Sequence, residues 1–300
     1  MIYRNSLKIL MNNFSLVWKQ LFYMVFSIAV VIALTGLCAL PVVDMLKSQG
    51  WVAEISELIE TVYTSPKDFS QAFTETMTKF FVLIRDNFGS LWINYLLIIF
   101  VVFVVSVILI HMSLFVCTSV VDAKMSSITR LGFMNTYFSS FWVSIKYAFV
   151  KLICSVPFFI LYAGSVLLYV ISAQNWLASI ILFPVLILVI LFIFSLKCTV
   201  FSCFSCEIIN NPRRHTWRNL VKSIAKAKHG FWIYFSNYAC MSLTILLVNV
   251  FGAIFTLGAG LFVSIPATIV WLASLNLTVY YVREKRRFYV ADNTIIDPNC

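Results

Sequence analysis

Acidic residues are missing from every long apolar stretch of this 300-residue chain, and only 11% of its residues carry charge. A soluble domain of that length carries about 25% charged residues. With 61% apolar residues and a mean hydropathy of +0.94, a water-soluble globular enzyme, a disordered chain and a small disulfide scaffold are all excluded. Paired intramembrane carboxylates are lacking, which argues against an acidic proton relay and against aspartyl proteolysis in the membrane. Histidine is scarce as well: His111, His215 and His229 are scattered. No GxSxG, HExxH or P-loop pattern occurs. The chain therefore reads as non-enzymatic, with no catalytic residues and no cofactor.

Cysteine is absent from residues 44–89, although the chain has eight in all. A disulfide framework is thus not part of the design. Cys203-Phe-Ser-Cys206, with Cys198 just before it, admits a redox or metal reading. No second CxxC or close HxxxH accompanies it, so no metal site is expected and the thiols read as small packing residues.

What remains is hydrocarbon. Lys19 to Asp44 leaves 24 uncharged residues, and Asp86 to Asp122 leaves 35. Lys151 to Glu207 leaves 55, broken only by Lys197, and Lys228 to Arg283 leaves 54. A helix needs about 20 apolar residues to cross a bilayer. The first two gaps hold one span each. The last two hold two each, divided at Ser172-Ala173-Gln174-Asn175 and at Gly252, Gly258 and Gly260. The expected fold is an all-α polytopic membrane protein, a single membrane domain over 1–300. Its six transmembrane helices are expected near 21–43, 91–118, 149–171, 177–205, 231–254 and 260–282, with a tail at 283–300. A β-barrel needs alternating segments, and the unbroken apolar run 96–105 does not alternate.

An even number of crossings returns the chain to the side where it began. Sorted on that basis, 18 of the 22 Lys and Arg lie on the side of the termini and four (Lys47, Lys67, Lys79, Arg85) on the other. The positive-inside rule then places both termini in the cytoplasm of a multi-pass cell-membrane protein. The net charge of +10 reads as topology and attraction to anionic headgroups, not as nucleic-acid binding. The first apolar stretch is too long for a cleavable signal and lacks a small-x-small site, so it reads as a retained span.

Two segments read as interfacial amphipathic elbow helices. In the first, Leu7, Leu10, Met11, Phe14 and Trp18 share one face, with Lys8, Asn12 and Lys19 opposite. In the second, Trp217, Leu220, Val221 and Ile224 oppose Arg218, Lys222 and Lys226. The two align at an offset of 214, Tyr3-Arg4-Asn5 on Trp217-Arg218-Asn219 and Trp18 on Trp232. A third copy is suggested at 141–146. The alignment fits a threefold internal repeat of elbow and helix pair; shared interfacial physics would also produce it.

Residues 44–89 are expected outside the membrane as two amphipathic helices packed on the outer face of the bundle. One lies in 52–60 and one in 73–84, with a turn at Ser65-Pro66-Lys67-Asp68. They read as a brace or lid, with a gate or partner surface as the alternative. Inside the spans, His111 and Lys197 are the two ionisable residues. Lys197 is near enough to the interface to snorkel. His111 reads as a neutral imidazole bonded to a neighbouring helix, with a proton relay as the alternative. Asn94, Asn249 and Asn276 are candidates for interhelical hydrogen bonds. Pro41, Pro157, Pro184 and Pro266 are candidate kinks.

Residues 195–285 resemble a group of bacterial six-span membrane proteins that includes the membrane domain fused to some glycerophosphoryl diester phosphodiesterases. The likeness rests on the long span ending near Phe201–Ile209, the short polar loop Asn210-Asn211-Pro212 and the elbow Trp217–Lys228 entering Gly230-Phe231-Trp232. A glycine-rich turn and a proline-bearing last span ending in Tyr280-Tyr281-Val282-Arg283 follow. The group's acidic and glycine pair is Asn210-Asn211 here, and no phosphodiesterase residues are present, so the resemblance implies topology and no activity. The expected function is an accessory or membrane-organising one. Arg213, Arg214, Arg218, Lys222, Lys226 and Lys228 would bind the anionic headgroups of the lipid bilayer, or a membrane or cytoplasmic protein partner. The alternative is a transporter, or the membrane subunit of one, with a solute cavity between kinked helices. An intramembrane enzyme would require His111, Lys197 and the Cys198–Cys206 group to meet in one cavity.

Overall fold

Apolar residues at helical spacing, with few internal breakers, make long helices. The computed structural model describes residues 2–64, 69–129, 131–172, 176–291 and 294–298. The expected turns at Ser65–Asp68 and Ala173–Asn175, and residues Arg130 and Cys300, lie outside them. In order the chain forms α1 (Ile2–Asn12), α2 (Phe14–Ser48), α3 (Trp51–Thr64), α4 (Phe69–Phe100), a π-helical turn (Val101–Val105) and α5 (Ser106–Ser127). There follow α6 (Phe133–Ser139), α7 (Phe141–Ser172), α8 (Trp176–Val200), α9 (Phe204–Asn210), α10 (Thr216–Lys228), α11 (Phe231–Phe255) and α12 (Leu261–Arg283). A hairpin of β1 (Phe288–Ala291) and β2 (Thr294–Ile296) closes the chain.

Among the described residues six helical stretches are long and apolar enough to span, and the protein is an all-α polytopic membrane protein. The last two, Phe231–Phe255 and Leu261–Arg283, match the expected limits to within one residue, and the earlier ones overrun them. α2 has 35 residues, and α4 runs through the π turn into α5 as a stretch of 59. Charges were used as boundaries, but Lys, Arg and Glu are good helix formers, so a helix need not stop where hydrocarbon does. Pro41, Pro157, Pro184 and Pro266 all lie inside helices. Large apolar side chains such as Phe22, Ile32, Leu188 and Phe262 stay exposed on the spans, as lipid-facing residues do.

The chain divides into two compact units, one of residues 1–25 with 107–300 and one of 26–106. In the first, α12 is the buried axis: 61% of its apolar window is buried, against 17% or less in the other spans. Trp271 on α12 donates its indole N–H to Ser6 Oγ at 3.1 Å, and its ring lies 5.6 Å from that of Tyr3. Gln20 donates to Ser113 Oγ at 3.0 Å. The expected tail is partly a hairpin. Phe288 and Val290 alternate into the core, and Asn12 Nδ2 donates to the Val290 carbonyl at 2.8 Å. The loop before α12 needs glycine at Gly258, where φ is +90°. At Gly260 a Cβ would meet Thr256 Oγ1 at 2.9 Å.

In the second unit α3 lies against α4. Trp51 and Phe80 have ring centroids 5.3 Å apart, and Lys79 Nζ is 2.9 Å from Glu54 Oε1. The second expected external helix is not a separate element. It is the first part of α4, which continues without a break.

Candidate functional site

The elbow α10 was expected to have two faces and has three. Asn219, Leu220, Ser223 and Ala227 form the buried stripe. Trp217, Val221 and Ile224 form an exposed apolar stripe, where lipid would lie. Cations fill the rest. α1 follows the same register: Asn5 and Ile9 are buried at the positions of Asn219 and Ser223, and Leu7 is exposed at the position of Val221. Of the apolar residues assigned to one face of the first elbow, Leu7 and Met11 of α1 and Phe14 and Trp18 at the start of α2 are exposed, while Leu10 is buried. In lipid, polar residues turn inward to find partners and apolar ones can face out. The third suggested copy, 141–146, is not an elbow; it forms the first turns of α7.

A fully buried carboxylate, Glu207 on α9, divides the six elbow cations. Lys222 Nζ is 3.1 Å from Glu207 Oε2. Lys226 pairs with both Glu207 and Glu284, and its side chain is only 13% exposed. Asn211 Nδ2 also donates to Glu207 Oε2, at 3.4 Å. Partial burial opposes the Lys226 charge, but its hydrogen bonds to Glu207 and Glu284 outweigh this and raise its pKa above the usual lysine value. Burial likewise opposes the Glu284 charge, and Lys226 more than offsets it, holding that carboxyl below its usual range. Lys222 and Lys226 thus tie α9, α10 and the end of α12 together. Arg213, Arg214, Arg218 and Lys228 are exposed and have no ion pair among the described residues.

His111 and Lys197, chosen as isolated intramembrane groups, line one cavity of about 310 Å³ between α5, α7, α8 and α12. Lys151, Cys198 and Asn276 line it too. His111 is 8% exposed, and neither ring nitrogen has a hydrogen-bond partner among the described residues. The expectation of an imidazole bonded to a neighbouring helix is therefore not met. Lys197 does not simply snorkel: its Nζ sits 4.3 Å from the centroid of the Phe159 ring, a cation–π contact. Lys151, 6% exposed, donates to Tyr147 Oη at 3.0 Å. Asn276 accepts from Tyr238 Oη at 2.5 Å. Leu114, Phe194, Phe201 and Leu272 supply apolar wall.

Sequence reasoning missed Lys151 and Glu207 because both were taken as the flanks of spans. Lys151 lies ten residues into α7, roughly 15 Å at 1.5 Å per residue. Trp142 and Lys146, earlier in the helix, already supply interfacial anchors, and that was the available signal. Cys203 and Cys206 are buried in the core, so of the cysteine group only Cys198 reaches the cavity wall. The asparagines behave as expected. Asn94 Nδ2 donates to the Cys38 carbonyl at 3.1 Å, and Asn249 Oδ1 accepts from Ser264 at 2.5 Å. No family model, curated protein or solved structure matches this chain.

Proposed function

We propose that this chain is a non-enzymatic, multi-pass protein of the cell membrane that holds anionic lipid at its cytoplasmic face through the α10 elbow. Both termini are cytoplasmic in this reading, which rests on the 18 cations sorted to their side. The observation that carries it is Arg213, Arg214, Arg218 and Lys228, exposed and without ion pairs among the described residues, beside the exposed Trp217, Val221 and Ile224. Apolar side chains anchor such a helix in the interface. Each cation near an anionic surface then contributes about 1 kcal/mol. The division of the cations refines the site: Lys222 and Lys226 serve the fold, and the other four are left for headgroups. The topological resemblance of 195–285 to the six-span bacterial group is compatible with this reading and adds no activity to it.

The test is lipid selectivity in the reconstituted protein. Spin-labelled phosphatidylglycerol should be immobilised in preference to spin-labelled phosphatidylcholine. Reversing Arg213, Arg214 and Arg218 to Glu should bring the ratio close to one, with Lys222 and Lys226 kept so that the fold stays intact. An unchanged ratio in that variant contradicts the reading. The second reading, a transporter, is favoured by the cavity that His111, Lys151 and Lys197 share.

A further inference from the structure

We propose that the cavity between α5, α7, α8 and α12 binds a single-chain amphiphile with one anionic head group. Lys151 and Lys197 receive the head, and the aromatic and aliphatic wall receives the start of the chain. The inference does not depend on the elbow holding lipid.

Charge is the first argument. Two lysines reach the wall of a largely apolar cavity, and no carboxylate lines it. Glu207, the nearest acidic residue in sequence to this part of α8, is engaged with Lys222 and Lys226. The ammonium groups have aromatic neighbours instead: Lys197 lies over Phe159, and Lys151 lies 5.3 Å from the Tyr147 ring centroid. Among the described residues no carboxylate faces them, so keeping both lysines charged in low-dielectric surroundings costs free energy, and an anion between them offsets that cost.

Donor chemistry agrees. The lysines donate, and the Asn276 side-chain oxygen accepts from Tyr238 while its amide N–H is a further donor. His111 is nine-tenths buried at the same wall, with both ring nitrogens unpartnered among the described residues. A buried polar group without a partner is unfavourable, and a ligand that supplies one gains by it. An oxyanion head, whose oxygens accept several hydrogen bonds, meets the lysines, the Asn276 amide and the single N–H of a neutral imidazole; a cation meets two lysines.

Shape and depth select the amphiphile. At about 310 Å³ the space lies at the lower end of small-molecule sites, roughly 300–1,000 Å³. It takes a head and part of one chain, not a two-chain lipid. Leu114, Phe194, Phe201 and Leu272 offer a chain the contacts that a free inorganic anion would waste.

The experiment is equilibrium binding of radiolabelled dodecanoate to the full chain purified in a neutral detergent. Expected is saturable binding near one per chain, with dodecanol competing at least tenfold more weakly and acetate not competing at all. Lys151→Gln with Lys197→Gln should weaken dodecanoate about 100-fold, while Arg213, Arg214 and Arg218 changed to Glu should leave it unaltered. Equal competition by dodecanol, displacement by acetate, or wild-type affinity in the double Gln variant overturns the proposal. Should the double variant fail to fold, the comparison of dodecanoate with dodecanol in the wild-type protein decides alone. Loss of dodecanoate binding with phosphatidylglycerol selectivity intact sinks this site and spares the elbow; the reverse result does the opposite.

Discussion

Lys226 holds two carboxylates at once, and one of them, Glu207, has no access to water. Removing one partner of such a group leaves a buried charge short of compensation, which costs about 3 kcal/mol. Lys226→Met should therefore lower unfolding stability in detergent by up to that amount, with Lys222 limiting the loss. Adding Glu207→Gln should recover most of it, whereas Arg218→Gln should change stability by less than about 0.5 kcal/mol. Acid tests the other carboxylate. The pKa of Glu284 is lower in the folded chain than in the unfolded one, so its contribution is complete above the ordinary carboxyl value, 4.5 here. It is lost as pH falls through the lower folded value. The stability difference between wild type and Glu284→Gln, followed by denaturation, should thus be constant near neutrality and shrink below about pH 4.5. Single residues were legible where their type dictates a partner. Asn94, Asn249 and Asn276 each needed an interhelical bond in lipid, and each makes one. Glu207 and Lys151 were not legible, because a charge at the rim of an apolar run marks either a boundary or a buried pair, and only packing distinguishes the two.

Helices carry the same lesson at the next scale. Periodicity located α1 and α10, but a two-sided wheel leaves no room for a third neighbour. At a bilayer surface an elbow has protein, lipid and water on three sides. Its polar residues Asn219 and Ser223 take the protein side, while Val221 and Ile224 remain exposed. The C-terminal hairpin escaped notice because its alternating stretch, Phe288-Tyr289-Val290, is too short for a period of two to stand out. Connections are testable here. Gly258 holds φ at +90° between α11 and α12, a conformation that costs an L residue about 1–2 kcal/mol. Gly258→Ala should lower stability by that amount in thermal unfolding, whereas Gly36→Ala, inside α2 with open space around it, should cost nothing measurable or stabilise slightly.

For the whole molecule, composition sufficed for class: six long apolar helices and hardly any strand follow from 61% apolar residues arranged in uncharged runs. The meeting of His111, Lys151 and Lys197 in one cavity did not follow, since no spacing relates residues on three different helices. In the proposed topology, six crossings gather the cations where the chain begins and finishes, and this arrangement gives both the elbow and the cavity their lipid setting. The direct measurement is a pair of reporters, one fused at the C-terminus and one inserted beside Gly50 between α2 and α3. The account predicts a C-terminal reporter active only in its cytoplasmic form, and one at Gly50 active only in its exported form. Reporters that land on the same side of the membrane contradict it.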